Sequence, residues 1–174
     1  MKKIFIIMSL AFLLMGCGKG ENAKEHIEYN GNDLKIAIVG NDVLSNFKNI
    51  SYQKRELDSL INDKEIYDAL IITKDAFSEA DQEKYIEFYN KVKYPVFFFG
   101  TEGFRDYAFL NKNMTIDMAK SNNAGYVQGF INVDGQRTKW ELNLPDNPSS
   151  TDKNRKMLIR IFKLIESTQK DTEK

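Results

Sequence analysis

Three short apolar runs constrain most of what this chain can become: Leu34-Lys35-Ile36-Ala37-Ile38-Val39-Gly40, Tyr67-Asp68-Ala69-Leu70-Ile71-Ile72-Thr73 and Pro95-Val96-Phe97-Phe98-Phe99-Gly100. Each is short, rich in β-branched or aromatic side chains and closed by Gly or Thr, so each reads as a buried strand. Near-continuous apolar strands belong to parallel sheets covered on both faces. The segments between them fit that reading. Asn41–Phe47 is expected to add a short helical turn, Ile50–Arg55 alternates as an edge strand does, and a brief helix is expected around Glu56–Asn62. Ser78-Glu79-Ala80-Asp81 looks like a capping-box start, and Tyr85, Ile86, Tyr89 and Val92 continue it as one apolar face to about Lys93. Strand, helix, strand, helix, strand predicts a parallel sheet with covering helices.

The pattern changes after Gly103. Residues 104–119 read as irregular or partly helical. Gly125–Val133 then alternates, Asp134-Gly135 supplies a two-residue turn, and Arg137–Leu144 alternates again, which predicts an antiparallel hairpin within 125–144. Thr151 to about Ser167 is an amphipathic helix with Met157, Leu158, Ile161, Leu164 and Ile165 on one face. Its basic residues Lys153, Arg155, Lys156, Arg160 and Lys163 form either a solvated face or a surface for anionic lipid headgroups. The expected fold is α/β: a three-layer sandwich with a mostly parallel sheet, flavodoxin-like or Rossmann-like, the hairpin, and a C-terminal amphipathic helix. One domain is expected over 34–168, with a disordered tail at 169–174.

The beginning of the chain reads as an address. Lys2 and Lys3 precede the uncharged run Ile4–Met15, which has the length of a signal-peptide core and is too short to span a bilayer. The quartet Leu14-Met15-Gly16-Cys17 resembles the lipobox of bacterial lipoproteins, with Met15 a less usual occupant of its position. That resemblance implies cleavage after residue 16, diacylglycerol on the Cys17 sulfur, and acylation of the new amino group. Two or three acyl chains anchor stably where one does not. Residues 17–33 carry Gly, Asn, Lys and Glu with little apolar content and are expected to form a flexible tether behind the lipidated Cys17. The expected location is the extracytoplasmic face of a cell membrane. Abundant Lys, Asn and Ile beside only 3 prolines suggest AT-rich coding and favour a Gram-positive host.

Composition narrows function by exclusion. Removing residues 1–16 takes Lys2 and Lys3 away, leaving 25 acidic against 23 basic residues and a net charge near −2. No basic stripe invites nucleic acid. The single histidine, His26, falls in the expected tether, and Cys17 is the single cysteine, so neither an internal disulfide nor a Ser-His-Asp or Cys-His relay is available to the domain. Zinc sites, which draw chiefly on His and Cys, are also disfavoured. No cofactor is expected.

Two family resemblances bear on the domain. Tyr67–Thr73, a helix and then Pro95–Gly103 resemble the core of the class I glutamine-amidotransferase-like fold, in which a strand beginning Pro-Val runs into a sharp turn bearing a catalytic Cys. Aligned on Pro95-Val96, that position is Gly100, so the resemblance implies the fold and not the activity. Flavodoxin-like proteins, with strand order 2-1-3-4, place a phosphate loop after the first strand. Here Gly40-Asn41-Asp42-Val43 carries an acid and lacks the run of hydroxyl residues that wraps a flavin phosphate, so flavin is not expected.

In open parallel sheets ligands bind beyond the carboxyl ends of the strands. Those ends bring up Asn41, Asp42, Lys74, Asp75, Thr101, Glu102 and Arg105 as candidate ligand-binding residues. Asp42, Asp75 and Glu102 would suit a hard cation or a proton shuttle if they converged. The same residue types also serve as ordinary helix caps and loop ends. Two functions follow. The first is a non-enzymatic interaction or accessory module, anchored in the membrane by its lipid and binding another envelope protein. Phe104, Tyr107, Phe109, Tyr126, Phe130 and Trp140 near the loops and hairpin are its candidate contact or core aromatics. The second is a small-ligand or metal site at the strand ends.

Overall fold

Each of the three apolar runs forms a strand. β1 (Leu34–Val39), β2 (Ile50–Lys54), β3 (Ala69–Thr73) and β4 (Val96–Phe99) are mutually parallel, and β7 (Val127–Val133) and β8 (Gln136–Leu142) extend the same sheet antiparallel. The order across the six strands is β2-β1-β3-β4-β7-β8. A computed structural model describes residues 27–172. The signal-like segment and Cys17 therefore lie outside the described residues.

Two apolar cores sandwich this sheet. On one face Ala37, Val39, Leu70, Ile72, Val96, Phe98 and Phe130 meet α1 (Leu57–Leu60), α2 (Phe77–Ala80), α3 (Ile86–Lys91) and α4 (Tyr107–Leu110). On the other, Ile36, Ile38, Ala69, Ile71, Phe97, Phe99 and Val127 meet α5 (Met157–Thr172) through Met157, Leu158, Ile161, Phe162 and Ile165. The period of two along each strand sends alternate side chains to opposite cores, so a three-layer α/β architecture results. The β1–β2 connection, carrying Leu44 and Phe47, lies on the α5 side, whereas the connections of β2 to β3 and β3 to β4 lie on the other. Direction across the sheet and covering face reverse together, as crossovers of one hand require.

Several local expectations are corrected. Asn41–Phe47 forms no helical turn, because Asn154 binds its backbone: Asn154 Oδ1 accepts the Ser45 N–H at 2.8 Å and Nδ2 donates to the Val43 carbonyl at 2.8 Å. Ser78 does not cap a long helix. The chain already turns at Lys74–Ala76 in a 3₁₀ segment, Ser78 sits inside α2, and a second 3₁₀ segment at Glu83–Tyr85 leads into α3. The break lies where Asp81 leaves the helix to accept the Ile116 N–H at 3.2 Å. The segment 104–119 holds α4, and a two-stranded ribbon of β5 (Gly103–Phe104) and β6 (Lys120–Ser121) closes its two ends together.

Both ends of the domain reach further than composition suggests. Tyr29 is buried against Phe162, its hydroxyl donates to Glu166 Oε1 at 2.8 Å, and the Asn32 N–H donates to the same oxygen at 2.7 Å. Arg155 holds the Ile27 carbonyl, pairs with Glu28 at 2.8 Å, and lies over the Phe47 ring. Residues 27–33 are thus part of the fold, not of a tether. The helix does not stop near 167 to leave a tail: α5 continues to Thr172, and Gln169 donates to Asp68 at 2.7 Å.

Candidate functional site

The crevice at the carboxyl ends of β1 and β3 is bridged by the chain's own side chains. β1 runs out into Gly40, whose φ of +109° is a conformation L side chains rarely adopt, and a Cβ there would stand 2.0 Å from Thr73 Oγ1 and 2.6 Å from Asp75 Oδ1. Only glycine lets the two strand ends approach this closely. Asp75 then closes the gap, accepting the Asn41 N–H at 2.7 Å and Asn41 Nδ2 at 3.1 Å, with the Thr73 hydroxyl 2.5 Å from its other oxygen. Lys54 donates to Asn41 Oδ1 from the far side. Burial opposes the charge on Asp75, but hydrogen bonds from Thr73, Asn41 and the Asp42 N–H outweigh it and hold its carboxyl below the ordinary value. Asp75 and Asn41 are loop fasteners.

The remaining candidates divide. Thr101 is fully buried and donates to the Gly125 carbonyl at 2.8 Å, tying β4 to the start of β7. Arg105 turns away from the strand ends and reaches Glu141 at 2.6 Å and the Asn123 carbonyl at 2.9 Å. It borders a different concavity, of about 270 Å³, with Asp106, Gln128, Lys139, Trp140 and Glu141. Asp42, Lys74 and Glu102 do meet, around a depression of about 250 Å³ floored by Phe99, Gly100 and Tyr126. Burial first, and then the neighbouring Glu102 and Asp42 charges, push the Tyr126 phenol up to about 12. A second depression of about 240 Å³ adjoins it, between Asn41, Asp42, Leu44, Tyr52 and Lys54. Among the described residues, no three His, Cys, Asp or Glu side chains converge as a metal would need, so the Asp42, Asp75, Glu102 cluster does not form.

Sequence reasoning overlooked a larger concavity. About 570 Å³ lies between the hairpin and the end of α5, lined by Ile131, Val133, Gln136, Thr138, Trp140 and Thr168 among others. Of the six aromatics noted in the sequence, Phe104, Phe109 and Phe130 are core, and Trp140 is the one that walls this groove. Strand alternation puts Thr138 and Trp140 on one face and could have pointed to it, but where α5 ends decides that the face stays open. Lys54, at the end of the edge strand β2, and Asn154, which arrives from a distant part of the chain, do not stand among the expected ligand-binding residues, and Tyr126 stands there only as a candidate contact or core aromatic.

Among the described residues no helix is long and apolar enough to cross a membrane. Comparison of the chain with protein-family models, with curated proteins and with solved structures finds no match in any of the three.

Proposed function

We propose that the protein is a lipid-anchored, extracytoplasmic interaction module of the cell envelope rather than an enzyme. The observation that carries this reading is the use made of the strand-end residues: Asp75, Asn41, Thr101 and Arg105 all hold loops together. A rigid rim of this kind presents side chains for contact. Apolar side chains stand out from the surface at Val43 (88% exposed), Ile66 (84%) and Met118 (63%). A lipid on Cys17 would keep the domain close to its membrane, since the ten residues from there to Ile27 reach at most about 35 Å.

The test has two arms. Fractionation of cells producing the full chain should find it in the membrane, and Cys17→Ala should release it. Photo-crosslinking side chains placed singly at 43, 66 and 118 should trap a discrete adduct in intact envelopes. A Cys17→Ala protein that stays in the membrane fraction overturns the anchor, and the absence of any adduct at all three positions overturns the interaction role.

A second reading is favoured by one observation, the meeting of Asp42, Lys74 and Glu102 over Tyr126. Mixed charge around a small depression suits a small polar ligand. Its test is titration of magnesium ion and of inorganic phosphate while following amide resonances. Shifts centred on 42, 74 and 102 that vanish in Lys74→Ala with Glu102→Gln support it, and unshifted spectra end it for these ligand classes.

A further inference from the structure

We propose that β8 is a self-pairing edge, and that two copies of this chain join antiparallel through it to make one continuous sheet across a two-fold axis. This goes beyond the envelope reading and stands without it. Among the described residues β8 pairs only with β7, and its seven residues run to the limit of the sheet. The phase of its backbone is fixed by its neighbours. The Tyr126 carbonyl accepts the Gly100 N–H at 2.9 Å, so at that position β7 faces β4. Alternation then turns Val127, Gly129, Ile131 and Val133 toward β8, where their partners are Leu142, Trp140, Thr138 and Gln136. The N–H and C=O groups of Arg137, Lys139 and Glu141 consequently point outward. Exposed edges of this length recruit another strand unless something blocks them.

The side chains select a second copy as that strand and select its register. With the two-fold axis at Trp140, Lys139 lies directly opposite Glu141 of the second copy, and by symmetry Glu141 lies opposite Lys139. Lys139 and Glu141 are both outward-facing residues, so each such pair exchanges two backbone hydrogen bonds. An axis at Lys139 also satisfies the backbone and sets Arg137 opposite Glu141, but Arg137 is already held by Asn132, Asn90 and the Tyr89 carbonyl, and Lys139 then stands against Lys139, where like charges are destabilising. Within each copy Lys139 is 3.0 Å from Asp106 and Glu141 is 2.6 Å from Arg105, so the cross-strand pairs extend an existing charge ladder.

The opposite face fits the same register. Trp140, Leu142 and Leu144 are half-buried on the α5 side, and the groove there is walled by Thr138 and Gln136. Opposite Thr138 comes Leu142 of the second copy, and opposite Gln136 comes its Leu144. The two half-buried leucines are thereby carried to the mouth of an open groove, while the Trp140 side chains meet at a non-hydrogen-bonded position where strands approach most closely. One register thus matches charge on one face and apolar surface on the other.

Sedimentation of the full chain in mild detergent, with reductant so that Cys17 forms no disulfide, tests this. The wild type is expected to dimerise between micromolar and submillimolar concentration. Lys139→Glu and Glu141→Lys should each weaken the dimer by about tenfold or more, because both cross-strand pairs become repulsive. The double exchange should restore it, although neither Asp106 nor Arg105 regains its partner; a purely structural role for these charges would not show that rescue. Lys139→Pro should abolish the dimer with an unchanged circular dichroism spectrum, since the N–H it removes faces outward. A wild type that stays monomeric, single exchanges without effect, or a double exchange that stays monomeric overturns the proposal. If the exchanged chains misfold, wild-type amide exchange decides. Protection at 137, 139 and 141 that grows with concentration supports the pairing, and concentration-independent exchange overturns it.

Discussion

The rings of Phe97 and Trp140 stack at 5.6 Å with an interplanar angle of 20°, across a strand whose residue between them is Gly129. Phe97 on β4 and Trp140 on β8 are each register partners of Gly129 on β7, and the missing side chain lets the two rings close over it. A Cβ at 129 would stand 2.5 Å from Phe97 Cδ1 and 2.9 Å from the Val96 carbonyl oxygen. The oxygen belongs to the backbone and cannot swing aside.

Gly129→Val should therefore destabilise the domain by about 1–3 kcal/mol despite the better strand propensity of valine, because overpacking outweighs propensity here. Urea denaturation measures it. Trp140→Ala in the same assay should lose the stacking contribution, about 0.5–1.5 kcal/mol, together with the area Trp140 buries. If Gly129→Val is as stable as the wild type, the rings do not close over the glycine as described.

Asp75 gives a pH signature. Its folded-state pKa is depressed, so it contributes stability that is present above the ordinary carboxylate value near 3.9 and is lost as pH falls through the lower folded value. Asp75→Asn keeps an acceptor for Asn41 but removes the charge. The variant should be less stable at neutral pH, and the difference should shrink on acidification below about pH 4. Stability against pH, measured for both proteins, checks the convergence.

Asp81 should behave in the opposite sense. Burial first, and Asp117 after it, raise its carboxyl above the ordinary value, and its Oδ1 is buried without a hydrogen-bond partner among the described residues. A raised acid pKa means that the folded state binds the proton more tightly than the unfolded state, so this group adds stability as pH falls and penalises the fold once ionised. Asp81→Asn keeps an acceptor for the Ile116 N–H. It should be as stable as the wild type below the ordinary carboxylate value of about pH 3.9, where both are uncharged, and more stable at pH 8, by denaturant midpoint. A variant less stable at both values would mean that the charge on Asp81 is itself stabilising.

How much of this was legible in the sequence depends on the range of the determining contact. The apolar runs declare β1, β3 and β4 because burial on both faces leaves a local composition, and Asp134-Gly135 declares the hairpin because the left-handed backbone it needs, φ of +49° and +78°, is a local demand. The region 74–91 was misread because Ser78 satisfies a local capping pattern while Asp81, reaching across to Ile116, decides where the helix breaks. Asp42, Asp75 and Glu102 were correctly placed at the strand ends, but no local pattern says that Asp75 turns inward to Asn41 while Asp42 and Glu102 face a depression. The start of the domain was hidden for the same reason. Tyr29 is a lone aromatic in a polar stretch, and its partners Phe162 and Glu166 are more than a hundred positions away.

That hidden start yields the last prediction. If residues 27–33 were only a linker, substitutions there would leave stability unchanged. Instead the Tyr29 ring packs on Phe162 at 5.1 Å, and its hydroxyl shares Glu166 with the Asn32 N–H. Tyr29→Phe removes one hydrogen bond from a carboxylate that keeps another, and should cost about 0.5–1.5 kcal/mol. Tyr29→Ala also empties a buried aromatic site and should cost about 3–5 kcal/mol. Glu166→Gln keeps an acceptor for both donors but loses the charge, so its effect should resemble Tyr29→Phe rather than Tyr29→Ala. Urea denaturation of the three variants supplies the ranking, and equal stability of Tyr29→Ala and wild type would return residues 27–33 to the status of a linker.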